Sequence, residues 1–214
     1  MSFSQPSFVM FDLGNVLVHI LPEAFLKSLG IDSPENRIYY QKPITEIVQS
    51  YERGDDSTER FLENLGTLFN TRHTVIQPVE KNHAFSAGDY RRAMLSIIGQ
   101  PMIGMDEIVR ALGARVPIGL LSNTNPLHFD ACLEHLAVLR FIPSHFLSYR
   151  LKSLKPQPEI FLQAIEFLQL DPGDILYIDD LPDNVEAGRK VGLNGQLFVG
   201  QEELRKQLIS SGLL

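Results

Sequence analysis

Ile175-Leu176-Tyr177-Ile178-Asp179-Asp180-Leu181-Pro182-Asp183-Asn184 reads as a short apolar strand that runs into two adjacent acids and then into a helix. An apolar run without polar alternation implies a strand covered on both faces, as in a parallel sheet. Four further runs of strand length lie at residues 8–13, 117–121, 146–149 and 196–199. Helical patterns separate the later ones, at residues 106–113, 158–170, 183–192 and 202–209. Pro158 suits a first helical turn and Glu159 complements its dipole, while Gly113 suits a helix stop. This alternation predicts βαβ units joined by right-handed crossovers.

The stretch from residue 18 to 92 differs. It shows no convincing strand and three helix-like pieces, at residues 22–29, 43–53 and 57–69. Gly30, Pro34, Gly54 and Gly66 break them, and Ser57 or Thr58 can cap the third. The reading is an α/β core made of residues 1–17 and 93–214, with an all-helical cap of residues 18–92 lodged after the first strand.

Composition bounds the function. The chain has 214 residues, so at about 150 residues per domain it is long enough for one domain and an insertion. Its 44% hydrophobic and 21% charged residues are a globular balance. A net charge of −7 argues against nucleic-acid binding, which wants a basic stripe. One cysteine, Cys132, excludes an internal disulfide framework and a cysteine metal cluster. Asp12, Asn15 and His19 interrupt the longest apolar candidate well before a membrane span, and no Lys or Arg precedes Lys27. The expectation is a soluble cytoplasmic protein that meets neither nucleic acid nor membrane.

Four motifs fall at the C-terminal ends of predicted strands, the edge where open α/β sheets bind ligands. Phe11-Asp12-Leu13-Gly14-Asn15 puts a carboxylate in the loop above the first. Leu121-Ser122-Asn123-Thr124-Asn125 offers a hydroxyl, amides and backbone N–H groups suited to an oxyanion. Lys155-Pro156-Gln157-Pro158 supplies an ammonium outside the following helix, with Lys152 read as a solvated neighbour. Asp179-Asp180 supplies an acid pair whose charge needs compensation, and oxygen-only ligands suit Mg²⁺. Taken singly, each has a structural alternative: a turn Asp, an Asx turn, a surface lysine, a helix cap. Four strand ends carrying a carboxylate, a hydroxyl, an ammonium and an acid pair in that order favour a site.

This order resembles the haloacid dehalogenase (HAD) superfamily along essentially the whole chain. Lys155-Pro156-x-Pro158-x-Ile160-Phe161 and Asp179-Asp180 with Asn184 are the specific signals. FDLGNVLV, the ERG at 52–54 and SNTNxxH ending at His128 are similar to the bacterial group that includes α-D-glucose-1-phosphate phosphatase. The resemblance implies a Rossmann-like, doubly wound, five-stranded parallel sheet in strand order 3-2-1-4-5, with Asp12 and Asp180 facing each other across a crevice. It implies an Mg²⁺-dependent phosphatase acting as a monomer on a small phosphorylated molecule, a sugar phosphate favoured. Asp12 is then the nucleophile that forms an aspartyl-phosphate. Ser122, the Asn123 N–H and Lys155 hold the phosphate. Asp12, Asp180 and the Gly14 carbonyl bind the metal, and Asp179 acts behind them or through a water.

One position departs from the pattern. Most HAD phosphatases carry an Asp two residues after the nucleophile as acid and base, and here it is Gly14. The substrate then has a good leaving group, or another residue such as His19 substitutes, or the protein chiefly binds phosphate compounds. A 2-haloacid dehalogenase also lacks that Asp but needs no metal, which the acid pair argues against. A phospho-acceptor module of the receiver type has no need of a large cap. Tyr39, Tyr40, Arg53 and His83 are candidates to line the cap.

Overall fold

The computed structural model describes residues 5–72 and 85–214; His83 lies outside them. In chain order the elements are β1 (Phe8–Phe11), β2 (Val18–Ile20), α1 (Ala24–Ser28), α2 (Pro34–Glu52), α3 (Thr58–Arg72), α4 (Ala87–Leu95) and β3 (Ile98–Pro101). There follow α5 (Met105–Gly113), β4 (Ile118–Ser122), α6 (Pro126–His135), β5 (Ser144–Leu147), α7 (Ser148–Leu151), α8 (Pro158–Leu168), β6 (Ile175–Asp179), α9 (Pro182–Lys190), β7 (Asn194–Leu197) and α10 (Gln201–Ser210).

The five-stranded sheet runs β5-β4-β1-β6-β7 with every pairing parallel, which is the predicted order 3-2-1-4-5. Every residue of β1, β4 and β6 is buried, as their unbroken apolar runs require. Side-chain alternation splits β1 between two cores. Val9 and Phe11 join Ile108, Leu112 and Leu204 on one face, while Phe8 and Met10 join Ile160, Phe161 and Tyr177 on the other. Phe11 pairs with Leu120 and Ile178, so the chain leaves β1 at Asp12 between the tips of β4 and β6.

Helices α1 to α4 build a separate core, rich in ring contacts: Tyr51 stacks on Phe61 at 4.3 Å, and Tyr40 lies tilted against Phe69 at 4.8 Å. The boundaries of these helices depart from the sequence reading. The second starts at Pro34 and runs through Pro43, because Ser33 Oγ accepts from the Asn36 N–H at 3.2 Å and Pro34 takes the first turn, where no N–H is needed. The third is capped by Ser57 and passes through Gly66 without a break. The stretch also holds a strand the sequence did not announce. Three-residue β2 pairs antiparallel with β3, some 80 positions downstream, with an irregular register. Such a short segment carries no readable period. Likewise β5 covers 144–147 rather than 146–149, since Ser148 already begins α7.

Candidate active site

The loop after β1 is a tight turn. Asn15 sits in the left-handed region at φ 52°, which a short polar side chain tolerates, and its N–H donates to Val18 O at 2.7 Å. Asn15 also ties two elements together: its Oδ1 accepts from the Ile20 N–H at 3.1 Å and its Nδ2 donates to Asp180 Oδ2 at 3.2 Å. Asp12, held by its own N–H on Ile178 O at 2.8 Å, therefore faces Asp180 across the gap between β1 and β6.

Lys155 reaches into this gap from the segment before α8. Its Nζ donates to Asp12 Oδ1 at 2.8 Å, Asp179 Oδ2 at 2.6 Å and Leu121 O at 2.9 Å. The Asn123 amide sets the lysine's backbone from both sides, accepting its N–H at 2.8 Å and donating to its carbonyl at 2.9 Å. Asn123 thus spends its side chain on positioning Lys155. Ser122, 2% exposed, ends β4 at the same edge.

The two acids of the pair differ. Asp179 is fully buried and accepts from Lys155, from Tyr177 Oη, from the Leu181 N–H at 2.8 Å and from Asn184 Nδ2 at 3.1 and 3.2 Å. Burial disfavours its charge, but Lys155 and these donors outweigh it and hold its pKa below the ordinary value. Asp180 is half-buried with one side-chain donor, Asn15, and burial raises its pKa. Asp12 is pushed up to about 6, first by burial and then by Asp179, against the pull of Lys155. Burial also opposes the Lys155 charge, yet Asp12 and Asp179 keep its pKa above the usual lysine range. One oxygen from each of Asp12, Asp179 and Asp180 lies within 4.8 Å of the others. Three carboxylates thus face one ammonium, and a divalent cation would balance them.

Above the cluster is a cavity of about 710 Å³. Asp12, Ser122, Lys155 and Asp180 form its floor, and one stripe of α2, from Arg37 to Glu52, forms a wall. Of the predicted cap residues, Tyr39 and Tyr40 pack as an edge-to-face pair at 5.1 Å, and Arg53 is paired with Asp55 at 2.7 Å; none of the three lines the cavity. His19 is exposed on β2, while its neighbour Ile20 faces the cavity. The sequence reading missed Glu52, which was visible only as the first letter of the ERG motif. Glu52 lines the cavity, and burial followed by the Asp12 charge pushes its carboxyl pKa up to about 7.

Polar contacts lock the cap end to the core. Buried Ser148 accepts from the Thr124 N–H at 3.0 Å, and its hydroxyl lies 2.6 Å from Glu52 O. Lys152, exposed as expected, also donates to Gly54 O. Gly54 sits at φ 74° where a Cβ would collide with Tyr149 O and Lys152 Nζ, so glycine is required there. His128 caps this junction: its ring spans Asn125 Nδ2 at 3.2 Å and Met94 O at 2.9 Å, and burial lowers its pKa.

A parallel sheet with an Asp–Lys–Asp cluster at its C-terminal edge, under a helical cap, defines a capped α/β hydrolase. The family model of haloacid dehalogenase-like hydrolases matches residues 7–192, and the chain belongs to that family. It is 28% identical over 196 residues to the D-ribitol-5-phosphate phosphatase of Bacteroides thetaiotaomicron, covering 86% of this chain and 87% of that one. It is 29% identical over 111 residues to flavin mononucleotide hydrolase 1 of Arabidopsis thaliana, covering 51% of this chain and 45% of that one. A HAD family enzyme of B. thetaiotaomicron superposes with a TM-score of 0.81 at 20% identity, covering 96% of this chain and 99% of that one. The same enzyme has been solved with magnesium and inorganic phosphate. Among the described residues no helix is long and apolar enough to cross a membrane.

Proposed function

We propose that this hydrolase is a magnesium-dependent phosphatase of small phosphomonoesters, working through an aspartyl-phosphate on Asp12. The observation that carries the reading is the buried Lys155 bridge between Asp12 and Asp179, with Asp180 across the crevice. Asp12, Asp180 and the Gly14 carbonyl would hold Mg²⁺, whose hard-oxygen preference and charge fit three carboxylates facing one ammonium. When bound, the ion supplies charge neutralisation to the phosphoryl oxygens and the attacking carboxylate. Asp179, with its lone pairs already accepting from four residues, holds Lys155 rather than metal.

Asp12 attacks phosphorus, and water then hydrolyses the acyl phosphate. Ser122 Oγ, the Asn123 N–H and Lys155 Nζ hold the phosphoryl oxygens through both steps. The relative that acts on D-ribitol 5-phosphate supports a sugar or polyol phosphate as substrate. Buried, unpaired Cys132 and the acidic balance support a cytoplasmic enzyme meeting a diffusible metabolite.

The test is a panel of sugar, nucleotide and organic-acid phosphates with Mg²⁺ and with EDTA. Release of phosphate that EDTA abolishes, and that Asp12→Asn lowers by orders of magnitude, is expected. EDTA-resistant halide release from 2-chloropropionate would instead make the protein a dehalogenase, and neither activity would make it a phosphate binder.

A further inference from the structure

We propose that Glu52, delivered by the cap, is the catalytic acid and base for the leaving oxygen, the role for which Gly14 has no side chain. The proposal rests on the phosphatase reading above. Among the described core residues, the acids and bases at the site are already engaged. Asp179 is saturated by its donors, Lys155 is shared between two carboxylates, and Asp180 belongs to the metal side. The space beside Gly14 is taken by Ile20, whose Cγ1 lies 3.0 Å from where a Cβ would stand. His19 points out of the cavity, and both His128 ring nitrogens are engaged by Asn125 and Met94.

Among the described cap residues, three charged ones line the cavity: Glu23, Arg37 and Glu52. Arg37 lies 15 residues before Glu52 on α2, about 22 Å away at 1.5 Å per residue, and Glu23 acts on Arg37. Glu52 is therefore the described cap acid at the nucleophile's end, close enough for the Asp12 and Lys155 charges to act on it. Its backbone is pinned by Ser148 at 2.6 Å, while its carboxyl has no hydrogen-bond partner among the described residues. Partly open to the cavity and with no protein donor on it, this carboxyl is free to meet a ligand there. Glu52 is the last residue of α2, where the helix dipole disfavours negative charge, and burial acts in the same sense. Both hold a proton on the carboxyl near neutral pH, as a general acid needs.

An Asp12 carboxylate oxygen bonds to phosphorus as the bond to the leaving oxygen breaks. That oxygen takes the electron pair and the Glu52 proton, leaving an alcohol and a Glu52 carboxylate. Water then attacks phosphorus and gives its proton to Glu52. The Asp12–phosphorus bond breaks, its electron pair returns to the Asp12 carboxylate, and inorganic phosphate departs.

The experiment is a leaving-group series, from 4-nitrophenyl phosphate to alkyl phosphates, on the Mg²⁺-loaded wild type and on Glu52→Gln. The wild type should depend weakly on leaving-group pKa. Glu52→Gln should lose about 10²–10⁴-fold on alkyl esters. On 4-nitrophenyl phosphate it should show a burst, with phosphoenzyme trapped by acid quench, because hydrolysis of the aspartyl-phosphate becomes slow. Glu52→Asp, which keeps an acid of shorter reach, should fall between them and guards against a folding defect in the amide. An Mg²⁺-dependent wild type whose slope and phosphoenzyme level survive in Glu52→Gln overturns the proposal and leaves the phosphatase reading standing. A wild type without Mg²⁺-dependent phosphate release overturns both.

Discussion

Ile20 fills the space that a side chain on Gly14 would need: a Cβ there would meet Ile20 Cγ1 at 3.0 Å. Gly14 is not among the residues with positive φ, so crowding rather than backbone strain keeps it small. Gly14→Asp alone should cost about 1–3 kcal/mol by overpacking. Combined with Ile20→Ala it should fold, and in a Glu52→Gln background it should restore alkyl-phosphate turnover at least about tenfold, within the range one acid supplies. Chemical melts and kcat on an alkyl ester check both parts. No restoration would mean that the space beside Gly14 does not reach the leaving oxygen.

The raised Asp12 pKa sets a pH dependence of stability. The folded metal-free protein holds this proton up to about pH 6, whereas the ordinary value is 3.8. The folded state therefore binds more protons between these values, and stability falls as pH rises through them. Buried His128 acts in the opposite sense, its stability being lost as pH falls below its ordinary 6.5. Comparison with Asp12→Asn isolates the carboxyl. The variant should be more stable than metal-free wild type, and the gap should widen by about 1 kcal/mol from pH 5 to pH 8. Mg²⁺ should narrow it, more at pH 8 than at pH 5. Urea melts at both pH values would falsify the assignment if the gap shrank with rising pH.

The acid pair should separate metal binding from architecture. Asp180→Ala should weaken Mg²⁺ binding and activity with little change in melting. Asp179→Ala strands buried Lys155, Tyr177 and Asn184 and should cost about 3–5 kcal/mol. Mg²⁺ titration followed by calorimetry, beside thermal melts, reads the two effects separately. The reverse ranking would exchange the roles assigned to the two residues.

Ser148 joins the cap to the core through Glu52 O and Thr124 N–H. Ser148→Ala leaves a buried N–H unpaired and should cost about 1–3 kcal/mol. It should also lower kcat on alkyl esters more than on 4-nitrophenyl phosphate, because the end of α2 is no longer held over Asp12. Equal losses on both substrates would show that the bond serves folding alone.

The strands and their four tips were legible in the chain because they depend on local signals, whereas the strand order came from the family resemblance. Unbroken apolar runs demand burial on both faces, and the residue after each run must emerge at the same edge of a parallel sheet. Asp12, Ser122, Lys155 and Asp180 thus belong to one edge of the sheet. The chain was silent where partners are distant. β2 exists only because β3 supplies its hydrogen bonds from beyond the cap helices. The turn of His19 outward and Ile20 inward follows from that pairing. Asp179 differs from Asp180 because Tyr177, Asn184 and Lys155 close on one carboxyl and leave the other open. Glu52 stands 40 positions from Asp12, marked locally only by the ERG motif, which says nothing of its place. Its burial, its tie to Ser148 and its place at the cavity wall arise when α2 folds over the sheet, because proximity and desolvation belong to the packed structure and not to the order of residues.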